Sequence, residues 1–172
     1  MRKVSDILGR KGASAVAVAP DTKVIEALNI MAEKNIGSVL VMDGGEYLGI
    51  ITERDYSRKI ALRHKSSVDT KVSEIMTTNL PAVNPSDSVE YCMQLMSDKN
   101  IRYLPVFEKN LLAGIVSMSD VVKETILQQK ETISHLESYI HSGLYVCIQL
   151  KTQVSPAKGG IFIFYQFHLV LI

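Results

Sequence analysis

Apolar side chains recur at helical spacing in two stretches of the chain. The first set is Val24, Ala27, Leu28 and Met31, and the second is Val89, Cys92, Met93 and Met96. Both sets follow the i, i+3, i+4, i+7 pattern that places apolar groups on one side of a helix. One amphipathic helix is therefore predicted in each stretch. We expect Thr22 and Asp87 to be the N-caps, because their side chains can accept the first free amide groups.

Two short β-rich runs follow each predicted helix. Residues 38–42 and 47–52 form the first pair of runs, and residues 103–107 and 111–117 form the second, with turn residues inside each pair. Runs with this spacing are typical of β-hairpins. A further helix is predicted after each hairpin, over about 53–62 in the first case and from 118 towards 139 in the second.

An internal repeat explains this duplication. Residues 18–60 align without a gap on residues 83–125 at an offset of 65, and similar lead-in segments, 3–8 and 71–76, precede the two copies. The sequence predicts an α/β (α+β) fold of two βαββα units packed on each other. We divide the chain into a first repeat with a lead-in strand (3–62), a linker (63–70), a second repeat with a long final helix (71–141) and an apolar extension (142–172).

The same short motif ends the hairpin of each repeat. It reads Gly-Ile-Ile-Thr-Glu-Arg-Asp at 49–55 and Gly-Ile-Val-Ser-Met-Ser-Asp at 114–120. A hydroxyl three residues before a carboxylate at a helix start is a capping box, which alone can explain both residue types. The same groups also suit a nucleotide, because a helix N-terminus favours phosphate and a carboxylate accepts ribose hydroxyls. Occurrence in both repeats favours the second interpretation.

The tandem βαββα units and this motif resemble the cystathionine-β-synthase (CBS) domain pair, or Bateman module, over residues 3–136. The stretch Ile-Thr-Glu-Arg-Asp-Tyr-Ser-Arg-Lys-Ile at 51–60 further resembles the small stand-alone CBS-pair proteins of bacteria and plant organelles. The resemblance implies two interlocked repeats with two clefts for adenosyl ligands such as AMP, ATP, NAD or S-adenosylmethionine. It implies that Asp55 and Asp120 hold ribose, and that Thr52 and Ser117 hold phosphate.

Further ligand contacts are implied by the same resemblance. Arg102 would reach phosphate, while Arg54 and its counterpart Ser119 flank the motif carboxylates; Arg54 is equally compatible with a solvated helix position. The side chains expected around the adenine ring are Ile75, Met76, Val39 and Val106, and Pro105 is expected among the ligand-binding residues. Only the second repeat has the Arg102 and Pro105 pair, so we expect clefts of unequal affinity.

The composition argues against several other classes of protein. With 19 basic and 18 acidic side chains the chain lacks the basic excess of nucleic-acid binders. Its two cysteines have no metal-ligand spacing, and no catalytic acid–base set is visible. The longest apolar run, 161–172, is too short to span a bilayer. We therefore expect a cytoplasmic, non-enzymatic protein without an obligatory cofactor or a membrane partner.

The last predicted helix carries a second apolar stripe, formed by Ile126, Ile133, Leu136 and Ile140. We assign this stripe to a homodimer interface, with intramolecular packing as the alternative. The predicted function is a regulatory module that senses an adenine nucleotide and signals to an unidentified partner protein. The alternative is a ligand-free structural or dimerisation scaffold. The extension after residue 142 is interpreted as a tail without a selected role.

Overall fold

The first repeat folds around one three-stranded sheet. In the computed structural model, which describes residues 2–12 and 15–151, helix α1 (Val4–Lys11) comes first. The repeat then contains β1 (Ala17–Val18), α2 (Val24–Lys34), β2 (Ser38–Asp43), β3 (Glu46–Thr52) and α3 (Glu53–Lys59). Strand β2 lies between β1, which is parallel to it, and β3, which is antiparallel. A single 3-10 turn, Ala61–Arg63, follows α3.

The second repeat has the same order with one strand reduced. It contains α4 (Val89–Asp98), β4 (Tyr103–Glu108), β5 (Leu111–Ser117) and α5 (Met118–Lys151). The counterpart of β1 is a single parallel bridge between Val83 and Val106. The two hairpins have equivalent strand pairing. The register shifts between Val41 and Met42 in the first hairpin and between Val106 and Phe107 in the second. The mixed α/β fold with two related halves is confirmed.

The lead-in segments are helical, so the prediction of a lead-in strand is wrong. Residues 4–11 form α1, and Val72–Glu74 form a single 3-10 turn. The physical reason is visible in the sequence, because Val4 and Ile7 are three residues apart and both side chains are buried. Strand-like contact is limited to isolated bridges, such as the one between Lys3 and Ser88.

Each lead-in completes the hydrophobic core of the other repeat. Val4 and Ile7, which precede the first repeat, pack in the core formed by α4, β4 and β5. Val72 and Ile75, which precede the second repeat, pack in the core formed by α2, β2 and β3. Backbone hydrogen bonds follow the same exchange, since the Val4 amide donates to the Asp87 carbonyl at 2.9 Å. The two repeats are therefore interlocked.

The predicted N-caps are displaced by one residue. Lys23 and Ser88 occupy the cap positions instead of Thr22 and Asp87. In α2 the linker replaces a side-chain cap, because the first helical amide donates to the Thr70 carbonyl at 3.0 Å. The Asp87 carboxylate caps the preceding turn instead and accepts the Asn84 amide at 2.7 Å.

The chain divides into two compact units, Met1–Lys130 and Glu131–Ile172. The second unit begins within α5, and there the side chains of Ile133, Leu136 and Ile140 are 54%, 58% and 58% exposed. The predicted apolar extension lies outside the described residues from 152 onward. Among the helices in the described part of the chain, none combines the length and the apolar character that crossing a bilayer requires.

Candidate functional site

A cleft within the first unit contains residues from both repeats. This first cleft has a volume of about 580 Å³, which is within the range of small-molecule sites. One wall is the junction of β3 and α3, including Thr52 and Asp55, and the opposite wall is the α4–β4 turn, residues 99–103. The structure thus brings Thr52, Arg54, Asp55 and Arg102 to one site, across the boundary between the repeats.

The hydroxyl and the carboxylate of this cleft form a complete capping box. The Thr52 hydroxyl accepts the Asp55 amide at 3.1 Å and donates to Asp55 Oδ2 at 2.6 Å. The same oxygen accepts the Thr52 amide at 3.1 Å. The box fixes the rotamers of both side chains and points the carboxylate back along the end of β3.

The other oxygen of Asp55 is bound by two further donors. Lys59 Nζ lies 2.7 Å from Oδ1, and the Thr77 hydroxyl donates to the same atom at 3.1 Å. Lys59 also donates to the Ile75 carbonyl at 2.6 Å. A ligand hydroxyl can therefore reach Asp55 only by replacing one of these donors.

Cationic side chains outnumber acidic ones around the first cleft. Arg54, Arg58, Lys99 and Arg102 line it, against Glu53 and Asp55. Arg54 donates to the Asn100 carbonyl at 3.0 Å, so it spans the two walls. Within the described residues, the side chains of the other three cations make no hydrogen bond or ion pair.

The second motif lines a smaller cleft of about 280 Å³. Ser117 and Asp120 form the same box, with the Ser117 hydroxyl donating to Asp120 Oδ2 at 2.6 Å and the Asp120 amide donating back at 3.2 Å. Ser119 also lines this cleft, and its hydroxyl lies 2.9 Å from that of Ser117. Ser117, Ser119 and Asp120 are therefore together, in a cleft separate from the one that holds Arg102.

A lysine from α1 neutralises the second carboxylate. Lys11 Nζ lies 2.8 Å from Asp120 Oδ2. Burial acts to raise the pKa of Asp120, but hydrogen bonds from Lys11 and Ser117 outweigh it, so the pKa lies below its usual range. Lys11 is the one cation that lines this cleft within the described residues, so the cleft is close to neutral.

Helix α1 makes a second charged contact beside this cleft. Glu124, one turn after Asp120, is only 3% exposed and forms ion pairs with Arg2 and Arg10. Glu124 occupies the position that Lys59 has in the first repeat. Because a buried carboxylate is costly unless it is paired, Arg10 on α1 and Arg2 just before this helix supply the charges that allow Glu124 to be buried.

One aromatic side chain belongs to both clefts. Tyr103, at the start of β4, lines the first and the second cleft, and so does Gly37. A Cβ at position 37 would lie 2.7 Å from the Tyr103 hydroxyl and 3.3 Å from Glu53 Oε2. Glycine at this position therefore leaves room for Tyr103 in the wall that the two clefts share, which we call the partition.

The residues expected around adenine lie elsewhere. Met76 is half-buried and the others, Val39, Ile75, Pro105 and Val106, are buried; none of these five lines the first or the second cleft. Ile75 and Val106 belong to the two hydrophobic cores. Their role as ligand contacts stays a prediction.

Several cleft residues were missed from the sequence. Arg58 lies four residues after Arg54 on a helix, so helical spacing alone could have placed it on the same face. Lys59 stands in the same relation to Asp55. Lys99 aligns with Lys34 of the first repeat, and this identity indicated equivalent positions without indicating a function. Nothing in the sequence connects Lys11 to a motif 109 residues away.

Comparisons with known proteins agree with this architecture. The CBS domain model matches residues 4–62 and 72–126. The mitochondrial CBS domain-containing protein CBSX3 of Arabidopsis thaliana is 39% identical over 149 residues, which cover 81% of this chain and 72% of the plant protein.

Solved structures give the same result. A protein with CBS domains from Burkholderia ambifaria is 42% identical, with a TM-score of 0.71 over 74% of this chain and 96% of that chain. A CBS domain pair in complex with 5′-methylthioadenosine and S-adenosyl-L-methionine is 26% identical, with a TM-score of 0.64 over 74% and 98% of the two chains. With both repeats matched by the family model and their lead-ins exchanged between two cores, this chain belongs to the CBS-domain proteins and carries the domain as a tandem pair.

Proposed function

We propose that this CBS pair is a non-enzymatic regulatory module that binds an adenosyl ligand in its first cleft and reports occupancy to a partner protein. The observation that carries the proposal is the composition of that cleft. Thr52 and Asp55 come from the first repeat, and Arg102 and Tyr103 come from the second. A ligand in this cleft would contact both repeats at once.

The motif residues have the chemistry for the nucleoside part of such a ligand. Asp55 has a carboxylate held in one rotamer, and a ribose diol could replace Lys59 and Thr77 as donors to Oδ1. The displaced Lys59 would keep its hydrogen bond to the Ile75 carbonyl, at 2.6 Å, which limits the cost of losing the carboxylate. The ligands of the solved CBS pair, 5′-methylthioadenosine and S-adenosyl-L-methionine, both contain this diol and support the class of compound.

The signal would be a change in the geometry between the repeats. A ligand that touches both walls favours the arrangement in which the walls are closest, and it shifts the population only by its difference in affinity between arrangements. A partner protein would bind one arrangement in preference to the other. The exposed stripe on α5, formed by Ile126, Ile133, Leu136 and Ile140, is our proposed homodimer interface, so the change would also reach a second copy.

Two further parts of the proposal concern assembly and compartment. The variant Leu136→Glu should convert a dimer into a monomer in analytical ultracentrifugation, and a monomeric wild-type chain would overturn the interface assignment. We place the protein in the cytoplasm, and the mitochondrial location named for the plant relative makes the organelle the competing result of a localisation experiment.

Calorimetric titration of the full chain with AMP, ATP, NAD and S-adenosylmethionine tests the ligand proposal. Asp55→Asn should abolish saturable binding in the first cleft, because the neutral amide is a weaker acceptor for ribose hydroxyls and no longer attracts the diol. Asp87→Asn is the matched control. Asp87 also accepts a backbone amide three residues earlier, at 2.7 Å, but lines neither cleft.

A ligand-free scaffold is the competing function, and the complete capping boxes favour it. If the boxes are only structural, Asp55→Asn and Asp120→Ala should each change the free energy of unfolding by about 1 kcal/mol and alter no binding. No heat with any of the four compounds, from a chain that unfolds cooperatively, would overturn the sensor proposal.

A further inference from the structure

The apolar stripe on α5 is part of a heptad pattern. With two neighbouring positions added, its members alternate in steps of four and three residues: Val122, Ile126, Gln129, Ile133, Leu136 and Ile140. This is the spacing at which two helices pack side by side through interlocking side chains. We call these six positions the seam, and only Gln129 among them is polar.

The seam lies on a side of α5 that the described residues leave open. Its five apolar side chains are 44% to 58% exposed, whereas Val121 and Glu124 of the same helix are buried. Most of the seam also lies beyond the matched CBS domain, which ends at residue 126. A continuous exposed apolar surface of this kind is typical of an interaction site.

Two side chains of opposite charge flank the seam. Lys130 follows Gln129 and Glu137 follows Leu136, so both border the seam on the same side, two helical turns apart. Both are exposed, and neither forms an ion pair with another described residue. They cannot pair with each other within one helix, because side chains that meet there are three or four residues apart. Their charges are therefore available to a partner helix.

We propose that the seam binds the seam of a second copy in antiparallel orientation, with Lys130 of each copy beside Glu137 of the other. Residues that flank a heptad seam decide the orientation of the helices through such ion pairs. A parallel pair would place Lys130 and Glu137 beside Thr125 and Thr132 of the other copy, so no ion pair would form. Antiparallel helices also bring opposite ends of their dipoles together. The inference rests on the homodimer interface of the proposed function and gives that interface its orientation.

The experiment is sedimentation of the full chain with single charge reversals. Lys130→Glu and Glu137→Lys each replace two attractive contacts by two repulsive ones, so each should raise the Kd of the dimer about tenfold or more at low salt. An equimolar mixture of the two variants has complementary charges at both contacts and should dimerise as tightly as the wild type. Added salt should reduce all of these differences, because the charges are exposed. The control is Glu131→Lys, which makes the same charge change away from the seam and should leave the Kd unaltered.

The outcomes separate the orientation from the interface. If Leu136→Glu dissociates the dimer but both charge reversals keep the wild-type Kd, the seam is the interface and the antiparallel orientation is wrong. A mixture that dimerises no better than its two components, or an equal loss in Glu131→Lys, would also overturn the orientation. A monomeric wild-type chain would overturn both the orientation and the interface, and the calorimetric test of the adenosyl ligand would be unaffected.

Discussion

The two clefts contain the same box of hydroxyl and carboxylate but obtain the neutralising lysine from different places. In the first cleft, Lys59 is one turn after Asp55 on the same helix, with 34% of its side chain exposed. In the second, the corresponding helical position is Glu124, and Lys11 reaches Asp120 from α1, which precedes the other repeat. The two carboxylates have equivalent positions, but their ion pairs differ in sequence separation by about a hundred residues.

This difference shows which features of a duplicated unit are constrained. The box caps a helix and orients the strand before it, so any change in either residue would disturb the backbone. The charge that faces the carboxylate is not fixed by the backbone and can come from any element within reach. In the first repeat both members of the ion pair are on α3, and the lead-in of the second repeat contributes only the Ile75 carbonyl that accepts from Lys59. In the second repeat the lysine itself comes from α1, so the charge on the carboxylate and the packing of α1 depend on each other.

The largest expected effects come from the exchanged lead-ins. Ile7→Ala and Ile75→Ala should each lower the free energy of unfolding by about 2–5 kcal/mol, because each side chain is nearly fully buried in a core. Denaturant unfolding measures the loss. Leu111→Ala is the control, since that side chain is 74% exposed and its truncation should change stability by less than about 0.5 kcal/mol.

Hydrogen exchange locates the same two losses. Ile7→Ala should reduce amide protection mainly in β4, β5 and α4, and Ile75→Ala mainly in β2, β3 and α2, because each lead-in is packed in the other repeat's core. A loss of protection confined to the repeat that directly follows the altered lead-in would contradict the exchange.

The next effect compares the equivalent positions 124 and 59. Glu124→Gln removes a buried charge that is paired with two arginines and should cost about 1.5–3 kcal/mol. Lys59→Met removes a half-exposed partner and should cost less than about 1 kcal/mol. Urea unfolding in low and high salt checks both. Equal costs at the two positions would show that α1 contributes no more to the second carboxylate site than a local lysine does to the first.

A smaller effect concerns the pH dependence of the second cleft. The pKa of Asp120 is lowered in the folded state, so its contribution to stability is present above the ordinary aspartate range and is lost as the pH falls through the lowered value. Lys11→Met should raise the pKa of Asp120 and reduce the stability lost on acidification. A carboxyl-detected NMR titration measures the shift. The control Lys59→Met should leave Asp120 unchanged, and an unchanged Asp120 in Lys11→Met would refute the pair.

The smallest effect concerns an edge-to-face contact between the repeats. The ring of Tyr47 on β3 lies 5.6 Å from that of Phe107 on β4, and the buried hydroxyl has no hydrogen-bond partner among the described residues. Tyr47→Phe keeps the ring contact and should be neutral or stabilising by up to about 1 kcal/mol.

Alkaline unfolding gives an independent test of the same residue. Burial raises the pKa of Tyr47 to about 12, so the neutral form stabilises the fold fully below about pH 10 and this contribution is lost as the pH rises towards 12. Tyr47→Phe should remove this component of alkaline destabilisation. A steeper alkaline loss in the variant would contradict the burial of the hydroxyl.

The sequence predicted the elements that depend on local patterns. Both hairpins match within a residue or two, and the repeat correctly predicted two related halves because its offset is constant. The motif residues Thr52 and Asp55 were found because a capping box is itself a local arrangement.

Features that depend on distant contacts were not predictable. The lead-ins Lys-Val-Ser-Asp-Ile and Lys-Val-Ser-Glu-Ile are so similar that the sequence alone does not tell which core each one enters. From the sequence alone, Glu124 would be placed on the solvated side of a helix. Its burial depends on ion pairs with Arg2 and Arg10, which are more than a hundred positions earlier. The N-cap of α2 was misplaced because the Thr70 carbonyl, from the linker, replaces a side-chain cap. On α4 the cap is the next residue, Ser88, whose hydroxyl accepts the Tyr91 amide at 3.1 Å.

Tyr103 and Gly37 line both clefts, so if both clefts bind ligands, the packing of these two residues would couple the two binding events. An occupant that pushes the tyrosine ring away from one cleft narrows the other, so two ligands would bind antagonistically; one that draws the ring towards itself widens the other and would favour a second ligand. Thermodynamic reciprocity requires the same factor in both directions, whichever cleft is filled first. A methyl group at position 37 would lie 2.7 Å from the tyrosine hydroxyl, so Gly37→Ala would displace Tyr103 and change any such coupling without altering either motif.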